Sequence, residues 1–452
     1  MSSIDRAIDV QVPVSGPDER ERRQGTNTAA PALPGTGMRI AWLGPVGEVG
    51  GGPSLGLLLL ESVLREGVAV DYFTGDGKLP ASLDGFANLS VVTVSGWWQW
   101  GRWYSRRQMA AFISGAFARA QGHNRLATML LDRHRRQPYD CIFQWSYSEL
   151  FKLGRHLAEL PPVIVYPGVH AAGELRWHRR ESAYALKSEP ALMHYAIRCI
   201  LRFRTFVQRR EMRKPALIIG LSRRFNELLV QDYGLSPQRM ALLYHPIREA
   251  GETSIVENRR PPGSPIKLLF VGRISVRKGI EQLVQLSHSL DDLAGKIQID
   301  VVGDRTQWSD YTAHLKELNP RTARFRGSIP HRDMPAVYDN ADILLVPSMY
   351  EPGGLVVGEA LSHGVCVVAS DEVGSAEPIA GDCCRVFPAG DMAAFETCVR
   401  RLINDVTETP GLRARAVEEA RAHFAPAPAG ERLVSLMQQC TRPRAASVGS
   451  AS

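Results

Sequence analysis

No apolar run in the 452 residues approaches the roughly 20 residues that a membrane-spanning helix needs; the longest, LGLLLL and ALIIGL, fall far short. The opening MSSIDRAIDV lacks the basic and apolar regions of a secretory leader. Cysteine is sparse. The seven residues scatter, apart from the adjacent Cys383 and Cys384, so neither a disulfide framework nor metal-ligand spacing is present and reduced cytoplasmic thiols are expected. There is no Asp-x-Asp metal motif and no G-x-G-x-x-G. No recognition motif for nucleic acid accompanies the charged segments. What remains is an ordinary globular composition, 44% apolar and 22% charged, in a chain long enough for two or three domains.

Strand and helix signals alternate along that chain. Residues 1–37, rich in Pro, Gly and charge, read as a disordered tail. Order starts at MRIAWLGP. Further strands are expected at Val68 to Phe73, Leu89 to Val94, Tyr139 to Trp145, Val163 to Tyr166, Ala216 to Leu221 and Ala241 to Tyr244. These make a first doubly wound α/β domain over 38–250. A charged, Pro- and Gly-rich linker spans 251–265. A second cycle over 266–425 carries the strands IKLLFVGR, IQIDVVG, ARFRGSI, ADILLVPS and VCVVAS. A last helix over 426–440 precedes a flexible tail, 441–452.

The most informative segment is SMYEPGGLVVGEALSHGVCVVAS, Ser348 to Ser370. Glu351 belongs to a loop at a strand's C-terminal end, followed by Gly353 and Gly354. A helix from about Leu355 to His363 then carries Glu359. In open α/β sheets that edge is where ligands bind. Glycines let backbone N–H groups approach a ligand, and a helix N-terminus favours an anion. A carboxylate beside phosphate-binding amides is better suited to hydroxyls. Hydroxyls together with phosphates point to a nucleotide sugar. Taken alone, the pair could still be two surface glutamates.

The segment resembles the Glu-x7-Glu motif of the family 4 retaining glycosyltransferases, whose fold is GT-B: two Rossmann-like doubly wound domains facing a cleft. Pro347, Ser348, Glu351, Gly354, Leu355, Glu359, Ala360, Gly364, Val367, Val368 and Ala369 match the family pattern. Gly353 stands where the family usually has Phe, and Cys366 where it has Pro. The resemblance implies that Glu351 holds the donor sugar's hydroxyls and Glu359 the ribose. It also implies that the last helix crosses back onto the first domain.

Strand IKLLFVGR ends in Gly272-Arg273, and Lys278-Gly279 follow. An Arg and a Lys delivered to one strand end suit a diphosphate, although a solvated basic loop would read the same way. The spacing is similar to the family's G-R-x-x-x-x-K-G, which implies that Arg273 and Lys278 stabilise the leaving nucleotide diphosphate. Gly327 and Ile329 resemble the segment whose backbone reads the nucleobase. In the first domain, GPVGEVGGGPSLGLLLLESVLREG reads as strand, glycine-rich turn and helix. By resemblance, Gly51 and Gly52 touch the diphosphate and acceptor across the cleft. Asp71, about twenty residues further on, would also permit a dinucleotide dehydrogenase, which leaves Glu351, Glu359, Arg273 and Lys278 unexplained. His170, ending VIVYPGVH, resembles a family His at the sugar-binding floor, with a surface-loop His as the alternative. Tyr244 and His245 lie where the family writes P-N-G-[IV]; LLYHPI departs from it, so His245 receives no role.

Charge is unevenly spread. Ser95 to Arg136 and Ala171 to Lys214 each net +7, against +7 for the whole chain, so basic surface collects on the first, acceptor-side domain. Trp97, Trp98, Trp100 and Trp103 begin the first of these segments. Aromatic and basic residues together suit a peripheral contact with an anionic membrane, a platform for a polysaccharide, or plain helix packing with solvated arginines.

The expected activity is therefore a retaining hexosyltransferase acting from a nucleoside diphosphate sugar on a hydroxyl of a glycan or lipid-linked acceptor. No cofactor and no metal are expected, since Arg273, Lys278 and backbone amides would neutralise the leaving group. The expected place is the cytoplasm or the inner face of a membrane. An epimerase, a disaccharide phosphorylase or a non-catalytic binding protein on the same fold are the rivals.

Overall fold

The structure is a computed structural model, and it describes residues 37–44, 51–75, 79–94, 109–145, 153–188, 190–248, 263–304 and 311–441. The Trp97 to Trp103 cluster, most of the linker and both tails lie outside the described residues.

Two parallel sheets organise the chain. The first contains β1 (Arg39–Leu43), β2 (Ala69–Thr74), β3 (Leu89–Thr93), β4 (Cys141–Gln144), β5 (Val163–Val165), β6 (Leu217–Gly220) and β7 (Met240–Leu242), in the order β3-β2-β1-β4-β5-β6-β7. Its helices are α1 (Gly51–Arg65), α2 (Met109–Arg136), α3 (Ala171–Arg180), α4 (Ser182–Ser188), α5 (Ala191–Glu211) and α6 (Arg223–Tyr233). The second sheet contains β8 (Ile266–Val271), β9 (Ile297–Val302), β10 (Ala323–Gly327), β11 (Ile343–Val346), β12 (Cys366–Ser370) and β13 (Cys384–Phe387), in the order β10-β9-β8-β11-β12-β13. Around it run α7 (Ile280–Ser289), α8 (Met334–Asp339), α9 (Leu355–Ser362), α10 (Met392–Glu408) and α11 (Leu412–Phe424), and α12 (Pro426–Thr441) follows.

The central strands read as nearly unbroken apolar runs because helices cover both faces. Every position of β11 and β12 is buried. Strand order reverses between β1 and β4 in one sheet and between β8 and β11 in the other. Each reversal sends the following loops to opposite faces and opens a crevice at the strands' C-terminal ends. In the second sheet the loops flanking that crevice are the ones after β8 and β11, which carry Arg273 and Glu351.

The chain changes domain twice, at neighbouring points. Leu243 packs in the first core, while Ile247 already packs in the second, a few residues before the boundary expected at 250. On the return, Phe424 belongs to the second core and Leu433, Val434, Leu436 and Met437 of α12 to the first. The Ile247 N–H donates to Phe424 O at 2.9 Å, tying the two crossings together. Gly430 lets α12 lie close on α1: a Cβ there would come within 2.4 Å of Ser62 Cβ.

Strand β13 is absent from the sequence expectation. It is four residues long, includes Arg385 and sits at the sheet's edge, so it offers little apolar pattern to read.

Candidate donor site between the two sheets

Glycines shape the edge of the second sheet. Gly272, Gly303 and Gly327 follow or end β8, β9 and β10, and the backbones come close together there. The Gly303 N–H donates to Gly327 O at 2.9 Å, and a Cβ on Gly303 would overlap Gly272 O. Gly279 has φ +81° and packs on Pro347 O, leaving no room for a side chain. Its left-handed turn lets the Arg273–Lys278 loop fold back towards the loop after β11. Ile329 is half-buried against the second core.

That fold-back brings together residues the sequence had assigned to separate tasks. Lys278 Nζ and Glu351 Oε2 form a direct ion pair, both side chains largely shielded from solvent. Burial, then the nearby Arg277 and Arg273 guanidinium groups, pushes the Lys278 ammonium well below its ordinary pKa. The Glu351 carboxylate in contact with it favours the charged form. Arg273 is exposed to water with protein packed around it. Burial, then Arg277, lowers its pKa as well. Three cations thus meet at one strand end, a strong field for an anion.

Beside them, Gly354 caps α9 in the left-handed conformation, φ 91°. A Cβ there would come within 2.7 Å of Ser375 Oγ. Ser375 donates from its backbone to Gly353 O at 2.8 Å and from its hydroxyl to Gly354 O at 2.7 Å. The turn is therefore held in place at the start of α9, where the Val357 N–H donates to Gly354 O at 3.0 Å and a helix N-terminus favours an anion. Within α9, Glu359 Oε2 accepts from the buried Tyr338 hydroxyl at 2.7 Å, which fixes the carboxylate's direction. Among the described residues no group of three His, Cys, Asp or Glu side chains is arranged around a metal position.

His170 sits differently from a residue reaching for a sugar. Its side chain is fully buried between the domains. Nδ1 lies 2.8 Å from the Tyr350 hydroxyl, and Nε2 lies 2.8 Å from Asp232 Oδ2, a contact that falls short of hydrogen-bond geometry. The ring is thus bracketed by a carboxylate, which can only accept, and a phenol, which can donate or accept. Burial opposes ionisation of Asp232, but His170 and the fork of Arg176, 2.8 and 2.7 Å away, hold its pKa below the ordinary carboxylate range. Here His170 orients Tyr350, the neighbour of Glu351.

Other contacts bridge the cleft. Glu377 Oε2 and Oε1 accept from the Arg223 and Arg224 N–H groups at 2.8 and 2.9 Å, so a second-domain carboxylate caps first-domain helix α6. Glu181 accepts from the Arg277 N–H at 2.7 Å. His245, at the domain crossing, has both ring nitrogens buried without a partner and lies against Gly353. A Cβ at 353 would approach His245 Cε1 to 2.9 Å. Two departures from the family pattern therefore touch: the imidazole fills space beside a position that the family gives to Phe. Burial lowers the His245 pKa to about 4, so the ring is neutral.

Gly51 and Gly52 open α1 beyond a loop outside the described residues. Asp71 is not placed for a ribose. It lies within β2, buried, and holds Arg39 at 2.6 Å, Arg133 at 3.0 Å and the Tyr139 hydroxyl at 2.6 Å. Tyr350, Asp232, Glu181 and Glu377 escaped the sequence reading. Tyr350 could have been found from its place next to Glu351; the other three act over long sequence separations that leave no local signal.

Comparison with known proteins places this edge. Residues 252–423 match the family model described as glycosyl transferases group 1. The matched segment coincides with the second domain and is similar to that family. Over 164 residues the chain is 32% identical to a glycogen synthase of Mycobacterium tuberculosis, which covers 36% of this chain and 39% of that protein, so the chain spans about two-fifths of that curated relative's length. In structure it is similar to sucrose-phosphate synthase from Thermosynechococcus elongatus, with TM-score 0.62 and 19% identity over 89% of this chain and 98% of that one. It is also similar to Anabaena HepE in complex with UDP-glucose, with TM-score 0.56 and 16% identity over 89% of this chain and 100% of that one. The fold is GT-B, and the segment matched by the family model contains the second sheet.

Proposed function

We propose that the protein is a retaining hexosyltransferase that takes a sugar from a nucleoside diphosphate donor to a hydroxyl of a glycan or lipid-linked acceptor, without a metal ion. The observation that carries this is the convergence of Lys278, Arg273, Glu351 and the start of α9 at the switch point of the second sheet. The UDP-glucose bound by the HepE neighbour supports a nucleotide sugar as the donor.

In this mechanism Arg273 and Lys278 take the charge that builds on the diphosphate as the anomeric C–O bond breaks. Preorganised donors of this kind are commonly the largest catalytic term. The α9 amides add further donors to the phosphates. Glu359, aimed by Tyr338, accepts from the ribose hydroxyls through Oε1. A diphosphate that reaches Lys278 competes with Glu351 for it, and the released carboxylate accepts from the sugar's hydroxyls. The acceptor hydroxyl attacks from the face the diphosphate leaves, and its proton passes to a diphosphate oxygen. Configuration is thereby retained without a covalent sugar–enzyme bond. The first domain, basic and facing the cleft, holds the acceptor, and contact with an anionic membrane would present a lipid-linked one.

The test is transfer from labelled UDP-, GDP- and ADP-hexoses to glycan and lipid-linked acceptors in the presence of EDTA, with the product's anomeric configuration read by NMR. Transfer with the donor's configuration is expected. An inverted product would overturn the retaining step. Activity lost on chelation and restored by Mg²⁺ or Mn²⁺ would overturn the metal-free one.

A further inference from the structure

Helix α5 buries one face and exposes another. His194, Ile197, Leu201 and Gln208 turn into the first domain. On the opposite side Leu192, Tyr195, Phe203 and Phe206 are 83, 51, 64 and 64% exposed, with the exposed Cys199 between them. Their spacing of three, four, four and three residues sets all five on one stripe of the helix. Single exposed apolar residues are common on folded proteins, but a continuous aromatic stripe marks an interaction surface.

The charges along the same helix are of one sign. Arg202, Arg209 and Arg210 are exposed. The helix's one acid, Glu211, is buried and held by Lys214 at 2.6 Å. Whatever covers the stripe must accept an apolar ridge and bring negative charge to the arginines. A second copy meeting the same face would bring arginine against arginine. An acidic protein would need an apolar groove cut to the ridge. A lipid surface needs no such groove, since its acyl region takes aromatic side chains at any position while its headgroups meet the cations.

We propose that the α5 stripe is the face by which the protein docks on an anionic membrane surface. The proposal rests on the lipid-linked acceptor reading and assigns it a surface. The location fits. From the buried side of α5, Gln208 Nε2 donates to Val169 O at 2.6 Å and its Oε1 accepts from the Ala171 N–H at 2.8 Å, framing His170. The docking face and the His170 segment are thus on opposite sides of one helix, about 10 Å across. A lipid-linked hydroxyl would have a short path from the bilayer to the site.

Co-sedimentation with vesicles of phosphatidylcholine, alone or mixed with phosphatidylglycerol, tests the proposal. The wild-type protein should bind the mixed vesicles at low salt and lose them as salt rises. F203S/F206S should weaken binding at least about tenfold, from the aromatic area no longer buried in lipid. R202S/R209S should weaken it as well and flatten the salt dependence. Both variants should keep the wild-type melting temperature and nucleotide affinity. If F203S/F206S binds as tightly as wild type, the α5 face is wrong while membrane docking stands. If the wild type binds neither vesicle at low salt, both fall. A dimer in sedimentation velocity that F203S/F206S converts to monomer would assign the stripe to a second copy instead.

Discussion

At the edge of the first sheet, polar side chains face protein partners. His170 meets Tyr350 and Asp232, Asp232 also holds Arg176, and Asp71 within β2 holds two arginines and a tyrosine. At the edge of the second sheet, Lys278, Arg273 and Arg277 gather beside Glu351 with Glu181 reaching in from the first domain, glycines follow or end three strands and a short helix begins. Both domains share a fold principle, so sheet topology alone does not decide where a ligand goes. What differs is whether the polar groups there are already partnered. A saturated edge positions; an edge with surplus donors binds. The first domain's contribution to the candidate site is accordingly indirect, through His170, Glu181 and the residues α6 offers to Glu377.

The contrast is broken most severely from the second-domain side. Lys278→Ala, and separately Arg273→Ala, should each lower turnover by about 10²–10³, as for removal of one transition-state donor. Steady-state kinetics under saturating donor would show it; a change below threefold in both would move the diphosphate elsewhere. Glu359→Ala should weaken the free nucleoside diphosphate by about tenfold to a hundredfold, since hydrogen bonds to a charged acceptor contribute roughly 1.5–3 kcal/mol. Calorimetric titration measures this, and unchanged affinity would remove Glu359 from the ribose.

Breaking the contact between Tyr350 and the first-domain His170 should have smaller effects. Tyr350→Phe leaves His170 without its hydroxyl partner and should cost about 1–2 kcal/mol of stability in chemical unfolding, with turnover reduced only a few-fold. A loss as large as that of Lys278→Ala would mean that the Tyr350–His170 pair takes part in the chemistry.

The smallest effect expected concerns pH. Burial takes His245 from 6.5 to about 4, and His178 likewise to about 4. Between those values the unfolded chain binds protons that the folded chain does not. Stability is therefore full above about pH 6.5 and declines as pH falls towards 4. His245→Asn should reduce that slope by up to one proton and leave the His178 share. A pH series of melting curves checks it, and an unaltered slope would mean His245 already titrates as in the open chain.

The alternation of strands and helices, and hence two doubly wound domains, was legible because each buried parallel strand is a short apolar run closed by Gly, Pro or Asp. Arg273, Lys278, Glu351 and Glu359 were legible because one loop or one helix fixes each of them near its own strand end. The Lys278–Glu351 pair was not: it depends on two loops about seventy residues apart folding onto each other. His170 was legible as a residue at a strand end but not in its contacts, since Asp232 and Tyr350 reach it from another helix and the other domain. The His245–Gly353 contact left a trace in the sequence as two separate departures from the family pattern. Only the fold shows that they compensate one another.

The division between a binding edge and a positioning edge is tested most directly by thermal shift with UDP-, GDP- and ADP-hexoses on the wild type, Lys278→Ala and Tyr350→Phe. One donor at about 100 times its dissociation constant should stabilise the wild type by about 2.7 kcal/mol. The same concentration should leave Tyr350→Phe with most of that gain and Lys278→Ala with little of it. Equal stabilisation of all three, or loss in Tyr350→Phe alone, would take the donor away from Lys278 and contradict the assignment.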